Sequence, residues 1–225
     1  MPRPTHPKTG NIDRRPVALL TGFGPFPGVA ENVTGRLVAE VARQARLLFP
    51  GYRFETDVLP TEWQTAPQRL VALLQDLKPE LALLFGVAKD ARGFRIETEA
   101  ANSCWASPDA AGLTPLAPVL VHGAVAAYST TLPTDSIVRR LKSLGVPVSI
   151  SNDAGGYLCN AALYHALHAI ESAGHPCRAG FIHIPDDLSK PPLTLKDAIA
   201  GALEIIGVSL LNVNADLAQK ANPKC

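Results

Sequence analysis

The apolar positions along the chain alternate between two patterns. Short apolar or alternating runs predict strands, and longer segments with apolar residues every three or four positions predict helices. The predicted strands are Val17–Thr21, Tyr52–Leu59, Leu81–Phe85, Phe94–Ala100, Val146–Ile150 and Ala179–Ile184. The predicted helices are Thr34–Phe49, Ala66–Leu77, Ser136–Ser143, a segment starting at about Gly156, and Leu195–Ile206 with Thr194 as its cap. Strands that alternate with helices predict a single-domain α/β fold, a three-layer α/β/α sandwich around a largely parallel twisted sheet.

Three segments lack this periodicity. Residues 1–15 hold three prolines, a glycine and four basic residues, which predicts a disordered tail. Residues 212–225 are polar, and we expect them to fray, so that the folded domain covers 16–211. Residues 102–118 are rich in Ser, Pro, Gly and Ala. Unstructured loops of this length inside a domain are usually functional or mobile.

Composition narrows the class of function. The chain has 225 residues, of which 47% are hydrophobic, enough for one domain with a sizeable core. A net charge of +1 gives no reason to expect nucleic acid as a partner. The four cysteines form no C-x-x-C pair, so we expect neither a disulfide framework nor a metal. No run is long enough for a membrane span and no secretory signal precedes the first strand, which favours a cytoplasmic location.

The stretch 146–164 is the most informative part of the sequence. A β-branched run is followed by Ser151, Asn152 and Asp153, which could cap a helix, and then by two glycines that permit a tight turn. Cys159 then falls in the first turn of a helix, where free N–H groups and the helix dipole stabilise a thiolate. A thiolate is a nucleophile. The alternative, a small buried core cysteine, is equally compatible with this segment.

A histidine that could serve as base for Cys159 is His183, near the end of the strand Ala179–Ile184. Ligand sites of open α/β sheets gather at the carboxyl ends of strands, so the two side chains could meet across a crevice. A lone histidine on an apolar strand is also compatible with a purely structural role. Glu97, Glu99 and Asp153 are candidates for the carboxylate that orients the base, and spacing does not choose among them.

The loop Gly22–Gly28 follows the first strand and holds Phe23 and Phe26. It lacks the lysine and the glycine spacing of the known phosphate-binding loops. Two phenylalanines in a proline-stiffened loop suit a flat apolar pocket, although burial in the core would also explain them.

Four blocks together resemble the pyroglutamyl peptidase I family, cysteine peptidases that remove an N-terminal pyroglutamate from peptides. The blocks are Gly22-Phe23-Gly24-Pro25-Phe26 with Asn32-Val33-Thr34, Glu97-Thr98-Glu99-Ala100-Ala101-Asn102, Ser151-Asn152-Asp153-Ala154-Gly155-Gly156-Tyr157-Leu158-Cys159-Asn160, and Gly180-Phe181-Ile182-His183-Ile184-Pro185. Their order and spacing agree with the family from about Val17 to Ile206. The last two blocks are the most specific.

The resemblance implies a catalytic triad and a way to recognise the substrate. Cys159 would be the nucleophile, His183 the base and later the acid, and Glu97 rather than Glu99 the orienting carboxylate. The reaction would proceed through a thioester and would need no cofactor. The residues implied in substrate binding are Phe23, Phe26 and Tyr157 around the pyrrolidone ring, and the backbone at Asn32 and Val87 on the lactam. Relatives commonly form a homodimer or a homotetramer.

The chain also departs from the family pattern. Lys89, Asp90 and Ala91 stand where the family has Gly-Gly-Arg, and Ser107 stands at a second arginine. These departures leave open a related cysteine amidohydrolase that acts on another small cyclic or N-terminal amide. A non-catalytic binding domain of the same fold is a further alternative, against which the three triad residues argue.

Overall fold

The computed structural model describes residues 13–221, with only the backbone described for residues 212–221. The strands are β1 (Val17–Phe23), β2 (Arg53–Leu59), β3 (Leu81–Val87), β4 (Phe94–Glu97), β5 (Glu99–Ala101), β6 (Ala127–Ser129), β7 (Val148–Ser151) and β8 (Arg178–Ile184). The helices are α1 (Val33–Leu48), α2 (Thr65–Leu77), α3 (Thr134–Ser143), α4 (Leu158–Ala173) and α5 (Leu195–Ala221). Strands and helices alternate as predicted along most of the chain.

The centre of the fold is a sheet of six strands in the order β2-β1-β3-β8-β4-β7. β1 pairs in parallel with β2 and β3, β3 pairs in parallel with β8, and β4 pairs in parallel with β7. The pair of β4 and β8 is antiparallel, so β4 and β7 run opposite to the other four strands. The prediction of a largely parallel sheet in a single α/β domain is confirmed.

Helices cover both faces of this sheet because its central strands are apolar on both sides. In β3, Leu81, Leu83 and Phe85 pack in one apolar cluster, with side chains of α1, α3 and α5. The alternate residues Ala82 and Leu84 pack in a second cluster, with side chains of α2 and α4. Successive side chains of a strand point to opposite faces, so these two clusters form the two core layers of the predicted sandwich.

The predicted strand Phe94–Ala100 is broken at Thr98. β4 stays in the main sheet, whereas β5 pairs with β6 in a separate two-stranded sheet that the sequence analysis did not predict. The Thr98 backbone N–H and hydroxyl both donate to the Ser151 carbonyl, at 2.7 Å and 3.0 Å. This contact joins residues that are distant in sequence, and an alternating pattern that continues through the break cannot reveal it.

β7 is an edge strand, which corrects the prediction of a buried strand at Val146–Ile150. It begins only at Val148, and Ile150 is 49% exposed. The carbonyl of Pro147 accepts a hydrogen bond from the Phe94 N–H at 2.9 Å, but a proline has no N–H to donate in return. Because β-branched residues favour central and edge strands alike, composition could not distinguish the two.

The last helix starts as predicted but ends later. The Thr194 hydroxyl donates to the Asp197 carboxylate at 2.6 Å and accepts from the Asp197 N–H at 3.3 Å, a reciprocal cap. The backbone of α5 remains helical through Ala221 instead of ending at Ile206, and this includes residues expected to belong to a frayed tail. No glycine or proline interrupts the sequence from 208 to 221. Residues 1–12 and 222–225 of the predicted tails lie outside the described residues.

Candidate active site

A cavity of about 400 Å³ opens where β1, β3 and β8 end. Every site residue predicted from the sequence except Glu97 lines this cavity, and Glu97 is fully buried. The lining residues from the prediction are Phe23, Phe26, Asn32, Val87, Tyr157, Cys159 and His183. Residues from separate parts of the sequence thus converge on one concave surface.

Cys159 is the second residue of α4, in its first turn as predicted. The expected caps were wrong, because the residue at the cap position is Tyr157, which within residues 13–221 makes no side-chain capping hydrogen bond. Asp153 instead accepts the Gly155 N–H at 2.8 Å, and Gly155 adopts a φ of 80°, so the aspartate stabilises the loop before the helix. The N–H groups of the first turn are therefore left without a capping side chain and favour negative charge beside Cys159.

His183 and Glu97 form a buried pair. Glu97 Oε1 lies 2.7 Å from His183 Nδ1, and the two residues are 0% and 6% exposed. Glu97 faces Phe181 in the antiparallel pair of β4 and β8, and side chains that face each other across such a pair lie on the same face of the sheet. His183 lies two residues further along β8 on this same face, so its ring reaches Glu97 diagonally.

The other two candidate carboxylates do not share this position. Glu99 lies beyond the break at Thr98 and is exposed, and Asp153 is an exposed loop residue. Glu97 is thus the one of the three that contacts His183, because it precedes the point at which the predicted strand Phe94–Ala100 leaves the main sheet.

Cys159 and His183 meet by a different route from the one expected. The expectation relied on two strands that end on the same side, but β7 runs opposite to β8. β7 ends beside Glu97, where Ser151 is its partner in the pair of β4 and β7. Residues 152–157 then lead the chain back, so that α4 starts beside the carboxyl end of β8.

The pKa of His183 is raised from its ordinary value of 6.5 to about 9. Burial by itself would lower this pKa, but the negative charge and hydrogen bond of Cys159, followed by the hydrogen bond and charge of Glu97, outweigh it. These contacts favour the imidazolium form of His183 beside Cys159. Among the described residues Glu97 Oε2 has no hydrogen-bond partner, so the imidazolium is the group that compensates this buried carboxylate.

Gly86 leaves the space that the thiol occupies. It faces His183 in the parallel pair of β3 and β8. A methyl group at Gly86 would lie 3.0 Å from Cys159 Sγ and 2.5 Å from Cζ of the buried Phe181 ring. The lack of a side chain here allows the sulfur to lie close to the sheet.

Aromatic rings form one end of the cavity. The ring of Phe26 lies 6.1 Å from that of Tyr157, and Trp63 packs edge-on against Tyr157 at 5.2 Å. Phe23 is only 3% exposed, and its ring lies 6.3 Å from that of Phe181. This end is an apolar pocket lined by tilted aromatic rings, which suits a small uncharged ring.

Asn32 and Val87 lie next to these rings. The Asn32 carboxamide caps α1 by accepting the Thr34 N–H at 3.2 Å, and its amide group donates to the Gly24 carbonyl at 3.2 Å. The Asn32 side chain is thus engaged by the fold, which leaves its backbone as the part available to a ligand. Val87 is the last residue of β3, at the rim of the cavity.

Side-chain amides hold the loop after β5, against α4 through Asn160 and against residues 120–121 through Asn102. Asn160, next to Cys159, accepts the Ala101 N–H at 2.9 Å and donates to the carbonyls of Ala101 and Ser103. Asn102 accepts the N–H groups of Leu120 and Val121. In the sequence, these hydrogen bonds are marked by Asn160 directly after Cys159 and by Asn102 five residues after Glu97.

Two residues that the sequence analysis did not assign to the site also line the cavity. Trp105 is 61% exposed, and its indole packs closely on Gly156, where an added Cβ would lie 2.4 Å from the indole Nε1. Arg95 of β4 lines the cavity as well, with its side chain 22% exposed. Among the described residues no cluster of three or more His, Cys, Asp and Glu side chains could hold a metal ion.

The model of the pyroglutamyl peptidase family matches residues 17–202. The chain belongs to the pyroglutamyl peptidase family. It is 34% identical over 194 residues to a pyrrolidone-carboxylate peptidase of Thermococcus onnurineus, and the aligned region covers 84% of this chain and 95% of that protein. It is 37% identical over 171 residues to pyrrolidone-carboxylate peptidase 1 of Ralstonia nicotianae, covering 76% and 78%.

Solved structures of such enzymes share the fold. A mutant pyrrolidone carboxyl peptidase of the hyperthermophile Pyrococcus furiosus superposes with a TM-score of 0.81 at 31% identity, over 88% of this chain and 99% of that one. The enzyme of Thermococcus litoralis gives a TM-score of 0.80 at 30% identity, over 89% and 96%. The protein is therefore a member of a family of cysteine omega peptidases.

Other groups occupy the positions of the two family arginines. Ala91 is 6% exposed and its N–H closes a turn on the Ala88 carbonyl. The Ser107 carbonyl accepts the indole N–H of Trp63 at 2.8 Å. Arg95 of β4 places a guanidinium in the cavity.

Proposed function

We propose that this protein is a cysteine exopeptidase that hydrolyses the bond after an N-terminal pyroglutamate, with Cys159, His183 and Glu97 as its catalytic triad. The observation that carries the proposal is the buried contact of 2.7 Å between Glu97 Oε1 and His183 Nδ1, with Cys159 on the other side of the ring. A nucleophile, a base and a carboxylate that orients the base are the parts that acyl transfer requires.

The reaction follows from the protonation of these groups. The Cys159 thiolate attacks the carbonyl carbon of pyroglutamate, and the negative charge moves to the carbonyl oxygen, near the N–H groups of the first turn of α4. When the C–N bond breaks, the His183 imidazolium gives its proton to the leaving amine, and a thioester remains on Cys159. Neutral His183 then accepts a proton from water, whose hydroxide attacks the thioester and releases pyroglutamate.

The aromatic end of the cavity supports the choice of substrate. A pyrrolidone ring has two apolar faces, one N–H and one C=O, so the rings of Phe26 and Tyr157 can flank it while backbone groups at Asn32 and Val87 bind its polar edge. An ordinary N-terminal residue carries an ammonium group, which would lose its water in this pocket without gaining a partner.

Two further expectations belong to this proposal. A cytoplasmic location would keep the Cys159 thiol reduced, as the chemistry requires. Assembly as a homodimer or a homotetramer is expected from the family resemblance. In the described part of the chain no helix is long and apolar enough to cross a membrane.

Replacement of the nucleophile tests the proposal. We expect Cys159→Ala to abolish release of a fluorescent amine from a pyroglutamyl amide, whereas Cys104→Ala, at a half-buried cysteine outside the cavity, keeps the rate. The wild-type protein should cleave the pyroglutamyl amide and leave the matched prolyl and glutaminyl amides intact. Full activity of folded Cys159→Ala would contradict the assignment of the nucleophile. Faster cleavage of a prolyl or glutaminyl amide would contradict the assignment of the substrate.

A further inference from the structure

The sheet order gives the cavity two ends. His183 faces Gly86 of β3 on one side and Arg95 of β4 on the other. Beyond β3 lies β1, which carries Phe23 at its end. If the pyroglutamyl ring occupies the aromatic end and the bond to be cleaved lies at Cys159, the leaving part of the peptide extends past His183 toward β4.

Arg95 is the cationic side chain on this leaving side. It faces His183 directly in the antiparallel pair of β4 and β8, so the two side chains start from the same face of the sheet with Cβ atoms about 5 Å apart. The arginine lines the cavity. An extended arginine side chain from this position reaches the region that the first residue of the leaving peptide must occupy.

Much of the hydrogen-bonding capacity of this guanidinium is unused. Among the described residues its one hydrogen bond runs from Nη2 to Asp90 Oδ2, at 2.8 Å. The Asp90 side chain is 77% exposed, whereas that of Arg95 is 22% exposed, so the aspartate lies at the rim and the arginine within the cavity. An arginine has five N–H donors, and a partly exposed ion pair of this kind is weak. The pair therefore leaves donors for a second carboxylate.

The other charged side chains in the cavity lie elsewhere or are engaged. Lys89 Nζ lies 3.9 Å from the position that a Cβ of Gly28 would take, so the lysine extends over the loop that carries Phe26. Asp153 accepts the Gly155 N–H within its own loop. Arg95 is thus the group on the leaving side that can offer a planar pair of donors to a carboxylate.

We propose that Arg95 determines specificity for the leaving group by binding a carboxylate on the residue that follows pyroglutamate. This carboxylate is either the C-terminal carboxylate of a pyroglutamyl dipeptide or the side chain of an acidic residue. The inference rests on the proposed function, because it uses the same cavity and the same position of the bond to be cleaved.

Three peptides test this proposal: pyroglutamyl-alanine, pyroglutamyl-alanine amide, and pyroglutamyl-aspartate α-amide, in which only the side-chain carboxylate is free. In the wild type we expect at least one of the two carboxylate substrates to have a kcat/KM about tenfold above that of alanine amide, mainly through a lower KM. A preference for pyroglutamyl-alanine identifies the C-terminal carboxylate as the bound group, and a preference for the aspartate α-amide identifies the side-chain carboxylate.

Arg95→Gln should remove this preference, and Arg95→Lys should retain part of it because the charge remains. Arg92→Gln is the matched control, since Arg92 is an exposed neighbour that does not line the cavity, and it should keep the wild-type ratio. Equal kcat/KM values for all three peptides in the wild type, or an unchanged ratio in folded Arg95→Gln, would overturn the proposal. Failure of the wild type to cleave any of the three would instead refute the proposed function itself.

Discussion

Gly86→Ala is the substitution for which the structure gives the sharpest expectation. The backbone of Gly86 lies outside the left-handed region, so an alanine can adopt it and only the space for the new methyl group matters. That methyl would lie 2.5 Å from Phe181 Cζ, 2.8 Å from Phe181 Cε1 and 3.0 Å from Cys159 Sγ. Contacts of at least 3.4 Å are ordinary, so the ring must retreat by about 0.9 Å or the strand must shift by a similar amount.

Neither the Phe181 ring nor the strand that carries Gly86 can move without affecting the site. The Phe181 ring is fully buried between Phe23, at 6.3 Å, and His183, at 4.8 Å between ring centres. Overpacking of this kind costs about 1–3 kcal/mol of the free energy of unfolding. Displacement of a reacting group by about 1 Å can cost about 100-fold in rate. We therefore expect both a modest loss of stability and a large loss of kcat/KM.

A second glycine provides the control. A methyl group at Gly201 of α5 would lie 2.4 Å from the buried Phe94 ring, on the opposite face of the sheet from the cavity. Gly201→Ala should also lower the free energy of unfolding, offset by up to about 1 kcal/mol of helix propensity, but should keep the wild-type kcat/KM. Urea unfolding followed by the fluorescence of the buried Trp63, together with hydrolysis of a pyroglutamyl amide, measures both quantities. The reasoning fails if Gly86→Ala retains more than half of the activity, or if both variants lose activity equally.

The remaining predictions concern charge at the site. Because the pKa of His183 is raised from 6.5 to about 9, the imidazolium that protonates the leaving amine is lost as the pH rises through about 9, and kcat/KM should fall there. The same shift should stabilise the fold fully below pH 6.5 and lose this contribution between pH 6.5 and 9. Glu97→Gln removes one cause of the raised pKa of His183, so the fall in kcat/KM should move to lower pH. If kcat/KM of this variant still falls near pH 9, the Glu97 carboxylate is not a cause of the shift. Iodoacetamide should label Cys159 before Cys104 and Cys177. Burial raises the pKa of the Cys104 thiol and raises that of Cys177 to about 12, so both react slowly. Equal labelling rates for the three cysteines would contradict an activated thiol at Cys159.

The alternation of strands and helices along most of the chain and the position of Cys159 in the first turn of a helix were determined by the sequence alone. These features depend on periodicity and on glycines within a few residues of one another, so local physics suffices to predict them. The family likeness added the assignment of Glu97, which spacing alone did not provide. The same local reasoning correctly placed the Thr194 cap and the helix that it starts.

The tertiary structure decided which distant residues meet. The contact between Glu97 and His183 joins residues 86 positions apart, and it requires β4 to run opposite to β8 and the chain to leave the sheet at Thr98. The exposed position of β7 and the presence of Arg95 in the cavity follow from the same pairing. Strand direction and register depend on contacts between segments that no local pattern encodes, because an arginine on an alternating strand has the same sequence signature whether it faces solvent or a buried histidine.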